Sequence, residues 1–172
     1  MDKGSVHIYC GEGRGKTSVA LGQGIRAASQ GKSVTIIQFL KEKNMDEIGF
    51  VRRLEPEVKL FRFEKSAASF DQLTEEEKQE EKQNLKNGLN FAKKVLATEE
   101  CDVLILDEVL GLIPCGIASV EDIRAVIRAK SENAQLILTG IYAGEELWED
   151  ADCVTEMVTR KEFQSTVDKE FQ

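Results

Sequence analysis

Between Cys10 and Ser18 the sequence reads C-G-E-G-R-G-K-T-S, a run whose residue types could hold a phosphate. Glycines 11, 13 and 15 let successive backbone N–H groups turn toward one anion, and Lys16 adds a positive charge beside them. The Thr17 hydroxyl is placed to ligate a magnesium ion bound to that phosphate. The usual pattern G-x-x-x-x-G-K-[ST] has glycine where Cys10 stands, a modest departure. The alternative, a glycine-rich turn with no ligand, fits less well with a strand before the run and a helix after it.

A second signal is L-I-L-D-E-V-L-G-L, in which an apolar strand at 103–106 ends in Asp107 and Glu108. A carboxylate at such a strand end can hold Mg²⁺ directly or through water, while its neighbour is a second ligand or orients a nucleophile. Thr17, Asp107 and Glu108 are therefore the candidate metal residues. A solvated acidic turn is the competing explanation, and it loses weight if both signals share one sheet edge.

For these residues to meet, a strand must end near Cys10, a helix must start at Lys16 and another strand must end at Asp107. Apolar runs at 5–10, 33–39, 57–63, 101–106 and 134–139 alternate with segments of helical period, and a shorter run covers 152–157. This alternation predicts an α/β fold, a mainly parallel sheet flanked by crossover helices. Val19, Ala20, Ala27 and Ala28 give the first helix its apolar side, and Gly31 is its left-handed stop. Thr74 with Glu77 opens a helix over 74–98 whose stripe is Leu85, Leu89, Ala92 and Leu96; its charged first half is expected to face water. Ser119 with Asp122 opens another over 119–130, with Val120, Ile123, Val126 and Ile127 turned inward. Residues 41–47 and 64–73 have no clear period and follow predicted strands, where open α/β sheets bind ligands. They are the candidate mobile substrate loops.

The chain has 172 residues and 41% hydrophobic content, enough for one compact domain over 1–172. A formal charge of −8 argues against a sequence-independent grip on nucleic acid. No apolar stretch of about 18 residues and no secretion leader is found, so a soluble cytoplasmic protein is expected, with no membrane partner. Cys10, Cys101, Cys115 and Cys153 form no C-x-x-C pair, which removes zinc-ribbon and thioredoxin-like readings, and most are expected to be buried. The single histidine, His7, lies in an apolar strand pattern and reads as sheet packing rather than as a base or ligand.

The ordered set of motifs resembles the ATP:corrinoid adenosyltransferases, also called cob(I)yrinic acid a,c-diamide adenosyltransferases. The resemblance rests on G-E-G-R-G-K-T-S at 11–18, V-T-I-I-Q-F-L-K at 34–41, L-I-L-D-E at 104–108, L-T-G at 138–140 and A-D-C-V-T-E-M at 151–157. It implies a P-loop NTPase fold of RecA-like architecture. It also implies transfer of the 5′-deoxyadenosyl group of ATP to the cobalt(I) of a reduced corrinoid, with release of tripolyphosphate. Gly11, Glu12, Gly13, Arg14, Gly15, Lys16, Thr17 and Ser18 would then contact ATP, with Thr17 and Glu108 or Asp107 on Mg²⁺. Lys16 and Glu108 would be the catalytic pair. A homodimer and an electron-donating reductase partner are further implications, as is an aromatic side chain, Phe63 or Phe70, that displaces the lower cobalt ligand.

The chain departs from that pattern in places. Ile141 follows L-T-G where relatives have arginine, and Lys161 is followed by Glu162 where they have histidine. An N-terminal extension that helps cover the corrinoid is expected to be absent, because the phosphate loop starts ten residues in. Arg14 offers a compensating positive charge. Two other function classes therefore stand beside the transferase: a divergent ATP-binding paralogue with a regulatory or corrinoid-delivery role, and another P-loop phosphotransferase or ATPase.

Overall fold

The computed structural model describes residues 4–40 and 45–162. Its sheet has six strands, β1 (Val6–Cys10), β2 (Val34–Gln38), β3 (Val58–Arg62), β4 (Val103–Asp107), β5 (Gln135–Gly140) and β6 (Cys153–Glu156). Every neighbouring pair is parallel, in the order β3-β2-β4-β5-β1-β6. The helices are α1 (Lys16–Ser29), α2 (Met45–Arg52), α3 (Glu75–Ala97) and α4 (Val120–Arg128), with short 3-10 segments at Phe70–Gln72, Val109–Leu112 and Glu145–Asp150.

Successive strand residues point to opposite faces, so a strand covered on both sides reads as continuously apolar. On β4, Val103 and Ile105 pack with Ala20, Ala27 and Val34 on the α1 side, whereas Leu104 and Leu106 pack with Leu85, Leu89 and Ile123 on the α3 and α4 side. All five β4 residues are buried. The expected helix stripes are the ones that turn inward: Leu85, Leu89, Ala92 and Leu96 on α3, and Ile123, Val126 and Ile127 on α4. Both capping boxes form, Thr74 with Glu77 and Ser119 with Asp122, and Gly31 adopts φ 82° behind α1.

Three expectations change. Residues 45–52 form α2 rather than open loop, because Val51 is buried against Val58 beneath it; residues 41–44 lie outside the described residues. Eight residues make only about two turns, too few to show a period. The charged first half of α3 faces water except at Glu81, which is 5% exposed. Only Cys10 and Cys101 are buried, whereas Cys115 and Cys153, on a loop and an edge strand, are exposed. His7 is half-buried on β1 with its ring 6.3 Å from Tyr9, as its strand pattern suggested.

Candidate functional site

Strand β1 stops at Cys10, the chain turns through Gly11 to Gly15, and α1 begins at Lys16. Gly15 has φ 103°, which a residue with a side chain adopts only under strain. A Cβ there would meet nothing within 4 Å, so the demand is on the backbone and the space in front is open. The first N–H groups of α1 point into that space, where the helix end favours an anion. Lys16 is 9% exposed, and its Nζ donates to Gly13 O at 2.6 Å, which draws the ammonium back over the loop. Glu12, Arg14 and Ser18 are exposed around it.

The strand order makes the second half of the site. Strand β5 runs between β1 and β4, so Thr139 near its end lies beside the last residue of β4. Asp107, 1% exposed, accepts at Oδ1 from Thr17 Oγ1 at 2.9 Å and from Thr139 Oγ1 at 2.8 Å. Thr139 Oγ1 in turn accepts from Glu108 N at 2.8 Å. One buried hydroxyl thus fixes the carboxylate that faces the phosphate loop. Thr139 does not stand out in the sequence, although L-T-G contains it, because a threonine in a strand reads as β-propensity.

Glu108 is set apart from its neighbour. Its backbone is left-handed, φ 60° and ψ 20°, which costs a non-glycine residue about 1–2 kcal/mol. Its Oε1 accepts from Ile141 N at 3.2 Å, so this carboxylate is tied to the turn after β5. Thr17 and Asp107 are therefore brought together, and Glu108 stands one residue beyond them against Ile141. Two oxygen ligands at right angles on octahedral Mg²⁺ lie about 2.9 Å apart, given ligand distances of roughly 2.0–2.1 Å. The Thr17–Asp107 separation and its hard oxygen donors fit such an ion. Among the described residues no group of three or more His, Cys, Asp or Glu side chains could hold a metal, so an ion here would draw its other ligands from phosphate and water.

The segment after β6 closes one side of the loop. Gly13 N donates to Met157 O at 2.8 Å, Arg14 N donates to Thr159 Oγ1 at 2.9 Å, and Glu162 pairs with Arg14 Nε at 3.3 Å. A Cβ on Gly13 would stand 2.5 Å from Met157 O, so only glycine allows this approach. A cleft of about 500 Å³ remains between loop and segment, with Ile141, Glu156 and Glu162 on its walls. The two positions that depart from the family pattern therefore face one cleft. Burial pushes the Cys10 thiol up, and the Glu156 charge pushes it further while Lys16 opposes, so this cysteine is a packing residue.

The loop at 64–73 leaves β3 at the same sheet edge. Glu64 Oε1 accepts from Leu40 N at 2.7 Å, and Phe63 packs on Phe91 with ring centroids 5.4 Å apart. Phe70 is half-buried, with Lys78 Nζ 6.0 Å from its ring centroid. Desolvation raises the Cys115 thiol, and the charges of Asp71 and then Glu108 raise it further.

The sequence profile of the ATP:corrinoid adenosyltransferase BtuR/CobO/CobP family matches residues 2–170. A corrinoid adenosyltransferase of Escherichia coli strain K12 is 25% identical over 162 residues, covering 91% of this chain and 77% of the relative. One from Pseudomonas aeruginosa is 28% identical over 157 residues, covering 91% and 75%. The uncharacterized protein all2391 of Nostoc sp. is 28% identical over 169 residues, covering 90% of this chain, which spans 43% of that longer relative. Among solved structures, a KaiC-like protein of Pyrococcus horikoshii superposes with a TM-score of 0.60 at 17% identity, covering 92% of this chain and 75% of the other. That likeness carries the fold alone, in keeping with the RecA-like P-loop architecture that the family resemblance implied. The profile match, over nearly the whole sequence, makes this chain a member of the ATP:corrinoid adenosyltransferase family.

Proposed function

We propose that this protein transfers the 5′-deoxyadenosyl group of Mg-ATP to the cobalt(I) of a corrinoid and releases tripolyphosphate. The observation that carries the reading is the Thr17–Asp107 contact of 2.9 Å at the mouth of the phosphate loop, in a chain of this family. The Gly11–Gly15 turn, Lys16 and the first turn of α1 hold the phosphates, and Thr17 with Asp107 holds Mg²⁺. Bound there, the ion would neutralise charge on the leaving tripolyphosphate. Glu12, Arg14 and Ser18 line the exposed rim and meet the nucleotide from outside.

In this reaction the cobalt(I) electron pair forms the Co–C5′ bond as the C5′–O5′ bond breaks and its pair leaves on tripolyphosphate. No proton moves, so the site requires no general base, in keeping with a lone histidine packed on β1. Lys16 stabilises the leaving charge, and Glu108, held by Ile141 N, orients the turn beside the substrates. Of the two aromatic candidates, Phe63 is fixed against Phe91, whereas Phe70 rides on the loop and is the one that can approach cobalt. The protein works as one unit over residues 1–172, as a homodimer in the cytoplasm, with cobalt(I) supplied by a reductase.

A second reading is favoured by the Arg14–Glu162 pair, which sets an acidic side chain against a phosphate-loop cation. In that reading the chain binds ATP but turns over little. Anaerobic incubation with Mg-ATP and chemically reduced cobalamin separates the two. Growth of the absorbance of a light-sensitive cobalt–carbon bond supports transfer, and tight Mg-ATP binding without that bond supports the second reading.

A further inference from the structure

Helix α3 runs along the chain that leaves β3 and grips it at successive turns. At Gly88 a Cβ would stand 3.2 Å from the Phe63 ring, so the missing side chain lets that ring in, and Phe91 meets Phe61 and Phe63 in tilted contacts with centroids 4.9 and 5.4 Å apart. Two turns nearer the helix start, Glu81 Oε1 accepts from Lys65 N at 3.0 Å, from Ser66 N at 3.1 Å and from Asn84 Nδ2 at 3.3 Å. One turn earlier again, Lys78 lies over Phe70. Loop and helix thus run antiparallel, and between the locked Phe63 and the half-buried Phe70 the buried Glu81 holds two main-chain amides of the loop, while the exposed Glu80 meets only the Lys65 side chain, at 3.4 Å.

Glu81 is an unusual choice for that place. It lies on the stripe that continues through Leu85 and Leu89, where an apolar residue would serve packing alone. Its Oε2 is buried with no hydrogen-bond partner, and a carboxylate so placed is costly. What the charge provides is stronger acceptance from two main-chain N–H groups of the loop.

We propose that Glu81 is a positioning residue for the corrinoid. By holding the Lys65 and Ser66 amides it sets where the Phe70 ring stands at the C-terminal edge of the sheet, and so seats a wide macrocycle there. This rests on the corrinoid reading above. The test uses the full chain with saturating Mg-ATP and chemically reduced cobalamin, comparing Glu81→Ala, Glu81→Gln and Phe70→Ala singly and combined. Glu81→Ala is expected to raise the cobalamin KM about tenfold through lost charge-assisted hydrogen bonds, with Mg-ATP affinity unchanged. Glu81→Gln, which keeps one acceptor oxygen without the charge, recovers part of that loss. Because Glu81 acts through Phe70, Glu81→Ala adds little in the Phe70→Ala background, whereas a purely structural role gives additive losses. If Glu81→Ala does not fold, Glu81→Asp, one methylene too short to reach both amides, takes its place. An unchanged cobalamin KM, or additive losses, overturns the role of Glu81 alone. No cobalt–carbon product from the unaltered protein overturns the corrinoid reading and this inference with it.

Discussion

Asp107 Oδ1 accepts hydrogen bonds from two hydroxyls, and each bond prepares a different property. Thr139 fixes the carboxylate from the neighbouring strand, while Thr17 shares with it the position an ion would take. Asp107→Asn is therefore expected to shift the magnesium dependence of ATP binding to higher concentration, and Glu108→Gln to leave it near the parent's, because Ile141 N holds that carboxylate elsewhere. Equal shifts in both variants, read by calorimetry at varied Mg²⁺, would return Glu108 to the metal shell. Lys16→Ala should weaken Mg-ATP binding by about 1.5–3 kcal/mol, the loss of a charge-assisted contact. At this scale the phosphate loop was legible because glycines, lysine and threonine at fixed spacing have few other uses. Glu81 was not, since within E-E-E-K-Q-E-E-K it reads as one more solvated charge. The only hint was its spacing of four from Leu85, which extends the apolar stripe backward.

Both capping boxes make the start of their helices sensitive to acid. Glu77 accepts from the Thr74 backbone N–H, which with the Thr74 side chain holds its carboxyl below the usual glutamate range; Ser119 does the same for Asp122. A folded-state value below the unfolded one means that the stabilisation is present above the unfolded titration and is lost as pH falls through the folded one. Thermal melts from about pH 6 down to about pH 3 should show this loss, and Glu77→Gln with Asp122→Asn should flatten part of it. A slope identical to the parent's would show that the caps contribute nothing to acid sensitivity. Thr74→Ala should cost about 1 kcal/mol at neutral pH, read from the urea midpoint. Capped, striped helices such as α3 and α4 announce themselves in sequence. The short α2 does not, because its evidence is tertiary: Val51 buried against Val58 rather than a repeating pattern.

Across the whole molecule, the sheet order does what no single element can. Five strands were visible as apolar runs, and the sixth, β6, as a shorter one. The insertion of β5 between β1 and β4 was not visible, because strand spacing in sequence says nothing of which edge a crossover reaches. That insertion carries Thr139 to Asp107 and pairs β4 on both edges, between β2 and β5, while α1 and the α3–α4 side cover its two faces. Leu104→Ala, a cavity at the centre of the α3 side, should therefore cost about 2–5 kcal/mol and lower Tm, with Mg-ATP affinity per folded molecule unchanged. A larger effect on affinity than on stability would mean that the core and the phosphate loop are coupled.

Attack at C5′ leaves all three phosphates joined, whereas attack at the γ-phosphate does not, so the fate of ATP tests the central claim most directly. Phosphorus NMR of an anaerobic reaction with Mg-ATP and reduced cobalamin is expected to show tripolyphosphate rising in step with adenosylated cobalt. Orthophosphate with ADP in its place would contradict adenosyl transfer and make the protein a P-loop phosphotransferase or ATPase.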